Sequence, residues 1–189
     1  MKVPNATFFR VVICIALSLV MGGCASLVDP QANQTLLQSL GNTSFTVFPT
    51  FVRYAKETSY DNTDTAAVSI FLTDNNLGQV TVSDQQVAIT GGWQMNQSAM
   101  WRESAEAFAQ HLAANPIQTD YALLPEYLIG GNGVPVGIHC YILNTQGDVA
   151  AGFRLNSHYS IFTDANLQTA QDCTAVLIQA LADALTPNP

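Results

Sequence analysis

Ten residues near the start of the chain, Val11 to Val20, are apolar except for Ser18, and they fix the compartment in which the remainder folds. Lys2 and Arg10 precede the run, and Met21-Gly22-Gly23-Cys24 follows it. A helix needs about 20 apolar residues to cross a bilayer permanently, so this run is too short for a retained anchor. A positive start, a short apolar stretch and small residues behind it are the parts of an export signal. The predicted organisation is a signal peptide over 1–23, a flexible polar tether over 24–43 and one domain over 44–186.

Met21-Gly22-Gly23-Cys24 resembles the lipobox of bacterial lipoproteins, with Met where that family usually has Leu. The resemblance implies cleavage before Cys24 and diacylglycerol on its thiol. An ordinary secretory signal with an incidental cysteine is the competing reading. Each buried methylene of an acyl chain contributes about 0.8 kcal/mol, so two or three chains anchor firmly where one does not. Ala25 stands where Asp, in Gram-negative lipoproteins, directs retention at the inner membrane. In such a host the implied location is the inner leaflet of the outer membrane, facing the periplasm.

Lys2 and Arg10 leave with the signal, so four basic residues face 14 acidic ones, a formal charge of −10. A nucleic-acid binder needs a basic stripe to displace counterions, and this chain has none. Adhesion to anionic lipid through charge is excluded for the same reason, which leaves the lipid itself as the membrane contact. High apolar content with few charges describes a folded domain. Cys14 is removed and Cys24 carries lipid, so Cys140 and Cys173 are left, and an even pair in an oxidising compartment reads as a disulfide. Two buried free thiols are the alternative. The bridge would contribute roughly 3–4 kcal/mol by restricting the unfolded chain.

Residues 24–43 are polar, with Pro30 and Gly41, and a flexible tether of about 20 residues has a reach on the order of 25 Å. Phe45–Val52 is a strand signal interrupted by Pro49. Residues 65–76 fit a helix capped by Asp64, and a strand almost as well. Val80–Val82 reads as a strand, with a further short one at Val87–Ile89. Trp101, Ala105, Phe108, Ala109 and Leu112 recur at helical spacing behind Ser98, a candidate cap. Tyr121–Ile129 is a buried-type strand, and Val136–Asn144 pairs with Val149–Leu155 as a hairpin. A closing helix runs from Leu167 to Leu185. The predicted class is α/β (α+β), a single mixed sheet of about four to five strands with two or three helices packed on it. Strand alternation puts Ile138, Cys140 and Ile142 on one face and His139, Tyr141 and Leu143 on the other.

An aromatic strand ending in Phe48-Pro49, a capped helix, Thr119-Asp120-Tyr121-Ala122-Leu123-Leu124, a hairpin tipped by Gly147-Asp148 and a closing helix together resemble one α/β class. That class includes the TolB amino-terminal domain, the curli secretion-channel lipoproteins and lipoprotein activators of penicillin-binding proteins. The resemblance implies a non-enzymatic periplasmic module that binds protein partners or assembles. The stretch 53–66 is longer than the usual link.

No catalytic set emerges. His139 and Cys140 point to opposite faces, so neither can activate the other. A zinc site needs three or four convergent ligands, and His111, His139 and His158 supply two at best. No cofactor motif is present: Gly130-Gly131-Asn132-Gly133 lacks the Lys of a phosphate loop. Glu126 shares an apolar strand face and has no second carboxylate for glycosidase chemistry. The candidate contact residues are His139, Arg154, Asn156 and His158, polar groups at or near strand ends, with Trp93 as a hot spot if exposed. The leading expectation is a lipid-anchored periplasmic protein-interaction or envelope-assembly module without enzymatic activity, monomeric or a homo-oligomer, with an envelope protein as partner. The alternative is a small-ligand or metal-binding lipoprotein using His139, Arg154 and His158.

Overall fold

The computed structural model of the chain describes residues 27–54, 57–90 and 94–186. The signal segment, Cys24 and Trp93 lie outside the described residues. The aromatic run forms two short strands, β1 (Ser44–Val47) and β2 (Thr50–Tyr54), separated by Phe48-Pro49. Both lie parallel to the same edge of β5 (Tyr121–Ile129), β1 from Phe45↔Tyr121 to Val47↔Leu123 and β2 from Phe51↔Glu126 to Tyr54↔Ile129. Between these registers residues 48–50 oppose only Leu124 and Pro125, so one residue is inserted. Both prolines therefore fall in the break, where the ladder is already interrupted.

The insertion matters because strand side chains alternate between faces, and one extra residue swaps every later assignment. Phe45 and Val47 share a core layer with Val52, whereas Phe48 and Phe51 lie in the other. Arg53, two residues beyond Phe51, follows it into that second layer. Counted by unbroken alternation along the sequence, it would share a face with Phe45 and Val47.

The rest of the sheet builds outward from this axis. β4 (Gln79–Val82) runs parallel to β1, and β3 (Thr58–Asp61) antiparallel to β2. On the other side β5 pairs antiparallel with β6 (Pro135–Asn144), which pairs with β7 (Val149–Leu155) across the predicted hairpin. Gly147 at the tip has φ +87°, a conformation that favours glycine, and the Asn144 side chain accepts the Gln146 and Asp148 N–H groups at 3.0 and 2.9 Å. The class is as expected, one open mixed sheet with helices packed on it. It has seven strands instead of four to five, because the aromatic run supplies two and β3 lies within the stretch 53–66.

Helices cover both faces. Over the first lie α1 (Pro30–Ser39), α2 (Thr63–Asp74), α4 (Ser160–Asp164) and, after a 3-10 turn at Ala170–Asp172, α5 (Cys173–Leu185). Over the second lies α3 (Gln97–Ala114), seated by Trp101, Ala105, Phe108 and Leu112 at the predicted spacing. Each such Leu or Phe, fully buried, contributes roughly 1.5–3 kcal/mol. Several local expectations are corrected. The stretch expected over 65–76 is helix, not strand, running Thr63–Asp74, so it ends two residues before the expected 76, and Asp64 lies inside its first turn and is not its cap. Asn96, not Ser98, caps α3 by accepting the Ala99 N–H at 3.2 Å. Val87 and Ile89 form no strand and instead insert individually under α3.

The largest correction concerns the tether. Residues 30–39 form a helix that docks on the domain through Ala32 and Leu36, with the Asp29 carboxylate accepting the Ala32 N–H at 2.7 Å. The Asp29 N–H donates to the Val149 carbonyl at 2.9 Å, and the Asn33 side chain donates to the Ala150 carbonyl at 2.8 Å. The packed fold thus includes residues 29–39, which the sequence assigns to the tether. No helix among the described residues is long and apolar enough to cross a membrane.

Candidate functional site

Beneath α3, three strands converge ionisable groups on one point. Glu126 of β5 sits opposite His139 of β6, and Arg53 of β2 reaches over from the neighbouring strand. The Arg53 Nε and its terminal nitrogen both lie 2.9 Å from Glu126 Oε1, and Arg53 also donates to the Ser104 hydroxyl of α3 at 3.0 Å. Tyr141 O–H donates to Glu126 Oε2 at 2.5 Å, and His139 Nδ1 is 3.1 Å from the same oxygen and 3.2 Å from the Tyr141 oxygen. The Arg53 guanidinium carbon lies 5.3 Å from the centre of the Phe51 ring. Trp101 closes the site by stacking on Tyr141 at 5.5 Å between centroids. Gly152, opposite Tyr141, makes that possible: a Cβ there would come within 2.9 Å of the indole and 2.7 Å of the Cys140 carbonyl.

Burial works against the charged form of Glu126, but the contacts from His139, the Arg53 guanidinium and the Tyr141 hydroxyl outweigh it, holding the carboxyl below its ordinary 4.5. Burial and the adjacent carboxylate push the Tyr141 phenol well up, so it stays protonated and donates. A carboxylate, an imidazole and a phenol in contact are the parts of an acid–base site. Arg53 is 1% exposed and Glu126, His139 and Ser104 are 0% exposed, so no substrate reaches them in this conformation.

A second buried carboxylate lies on the opposite face. Asp64, 2% exposed, accepts the Thr174 hydroxyl, tying the first turn of α2 to α5. Its surroundings are hydroxyls: Thr50, Thr65 and Tyr127 place buried oxygens in the same layer that form no hydrogen bond of good geometry. Burial is the chief influence and pushes the Asp64 carboxyl up from 3.8, with Asp61 adding to it and the hydroxyls opposing it.

The sequence-predicted contact residues do not assemble into one site. His139 is fully buried in the network. Arg154, its partner across the hairpin, donates to the Ser98 hydroxyl at the start of α3. Asn156 donates to the Gln97 side chain at 2.9 Å and accepts the His158 N–H at 3.0 Å, while the His158 ring is exposed. Arg154 and Asn156 thus pin α3 to the end of β7. Among the described residues no three His, Cys, Asp or Glu side chains are arranged to hold a metal ion.

Cys140 and Cys173 reach the same core layer, as alternation predicted, but both are free in the structure, and the expected bridge is not formed. The Cys173 thiol points instead to the Thr169 carbonyl at 3.9 Å. Burial, with Asp64 and Asp172 nearby, pushes this thiol up to about 12. Arg53, Ser104, Tyr141 and Asp64 went unrecognised as site residues in the sequence. The available signal was Glu126: a carboxylate on the apolar face of a central strand requires a cation, and the chain has few.

No family model matches the sequence, and no curated protein matches it. Among solved structures the chain is similar to the C-terminal domain of LpoB from Salmonella enterica, at 15% identity over 66% of this chain and 94% of that one, TM-score 0.36. The C-terminal domain of Escherichia coli LpoB gives 15% identity over 65% and 92%, TM-score 0.28. An NMR structure of E. coli LpoB gives 16% over 67% and 63%, TM-score 0.31. Likeness at this level decides nothing about partners or activity.

Proposed function

We propose that this chain is a lipid-anchored module of the bacterial envelope, held through Cys24 at the inner leaflet of the outer membrane, that works by contacting another envelope protein and not by catalysis. The observation that carries this reading is the burial of its reactive groups. Among the described residues the cluster with acid–base chemistry, Arg53–Glu126–His139–Tyr141, is sealed between sheet and helix, with Arg53 and His139 paired to Glu126. The export signal and Gly22-Gly23-Cys24 supply the address, and a charge of −10 after signal removal argues against nucleic acid as partner.

Two measurements test the two halves. Metabolic labelling with a fatty acid should mark the wild-type chain and not Cys24→Ala, which should leave the membrane fraction. Unchanged labelling of the variant overturns the anchor. Photo-crosslinking from exposed positions of the intact lipoprotein, in cells, should yield a reproducible envelope protein adduct. No adduct from any position overturns the interaction role.

A further inference from the structure

Docking of α1 leaves little chain between the lipid site and the domain, and this decides which end of the sheet meets the membrane. The inference rests on the reading of Cys24 as the lipidated residue. Asp29 is fixed by its bonds to Val149 and to its own helix, and Val28 packs into the layer beneath α3. The chain therefore leaves the domain at the hairpin end, where β6 finishes at Asn144, β7 starts at Val149 and β5 starts at Tyr121. Five peptide steps separate Cys24 from Asp29, a span of at most about 18 Å when fully extended. We infer that the hairpin end, with Asp29, Asp120 and the 144–148 turn, faces the bilayer. The opposite end, with the 130–134 and 156–159 loops, is held toward the periplasm for a partner.

Length decides between this orientation and its inverse. β5 has nine residues, about 27 Å from one end of the sheet to the other at the rise of a strand. With the far loops against the headgroups, Asp29 would stand about 27 Å from the surface, beyond the ~18 Å the chain allows. A free tether over 24–43 would have permitted either orientation; the docked helix permits one.

The two ends differ in character as well. The hairpin end forms an open groove of about 490 Å³ lined by Asp29, Asp120, Asp148 and amides, with no Lys or Arg among the described residues of its wall. Anionic headgroups are repelled by such a surface, so this end rests over the bilayer without binding it. The far end offers Tyr159, 47% exposed, beside the exposed His158. An aromatic side chain of that kind is what protein interfaces favour.

The test uses the full lipidated protein in phosphatidylethanolamine–phosphatidylglycerol vesicles carrying a nitroxide-headgroup lipid. A fluorophore is attached at Gln146→Cys or His158→Cys; the native Cys140 and Cys173 are buried. Quenching several-fold stronger at 146 than at 158 is expected. A Gly/Ser insert of about 20 residues between Ser26 and Leu27 should erase the difference. Equal or reversed quenching in the uninserted chain, with intact mass showing lipid on Cys24, overturns the orientation and leaves the lipoprotein reading standing. A Cys24 without lipid overturns both.

Discussion

Glu126, on a strand beneath α3, and Asp64, in the first turn of α2, are both buried on opposite sides of one sheet, yet their carboxyls are driven in opposite directions. Beneath α3, Glu126 has the Arg53 guanidinium, His139 and a phenolic donor, and it is held in the charged form. Between α2 and α5, Asp64 has hydroxyl donors and no cation among its described partners, and it is pushed toward the protonated form. Burial is common to both and so does not set the sign. What sets it is whether a neighbouring strand can deliver a positive charge to the same face.

The largest effect should come from leaving Glu126 alone. Arg53→Met strips a buried carboxylate of its cation and should cost about 3–5 kcal/mol, read by urea unfolding at pH 7. The double variant Arg53→Met, Glu126→Leu should recover most of that loss, since a buried pair replaced by apolar groups is often neutral. A double variant as unstable as the single would break the comparison, because the loss would then lie in packing.

Acid titration should separate the two carboxyls next. The folded value of Glu126 is lowered, so its stabilisation is present above 4.5 and lost as pH falls through the folded value. The folded value of Asp64 is raised, so its stabilisation is present below 3.8 and lost as pH rises through the folded value. Asp64→Asn should therefore gain on the wild type as pH rises from 3 to 7, ending neutral or more stable by about 1 kcal/mol. A loss at pH 7 would show that Asp64 is needed as an anion.

Smaller effects sharpen the picture. Ser104→Ala removes one acceptor from Arg53 and should cost about 1 kcal/mol by thermal or urea unfolding. In Asp64→Asn, alkylation of Cys173 in the folded protein should quicken modestly, because one of the charges holding that thiol up is gone. Both native thiols should label fully once the chain is unfolded; resistance of both would instead reveal the disulfide.

The parts of this architecture that were legible in the sequence are those fixed by near neighbours. The hairpin, α3 and α5 announce themselves by alternation and helical spacing, and the same alternation parts His139 from Cys140. β3, with the sequence Thr58-Ser59-Tyr60-Asp61, is half exposed at an edge and has no apolar pattern to read. α1 buries only Ala32 and Leu36 from ten residues, so its docking depends on Val149 and Ala150 more than 100 positions away. The Arg53–Glu126 contact spans 73 positions, and its shared face cannot be counted without knowing that a residue is inserted at the break.

That inserted residue has a consequence for descent. A single deletion between Phe48 and Thr50 would close the break and leave Phe51 opposite Glu126 and Arg53 on its present face, because three residues facing Leu124 and Pro125 would become two. Arg53 and Glu126 form one heritable unit, and the extra residue is not part of it. In any lineage sharing this fold the pair should be gained or lost together, whether or not the break is kept.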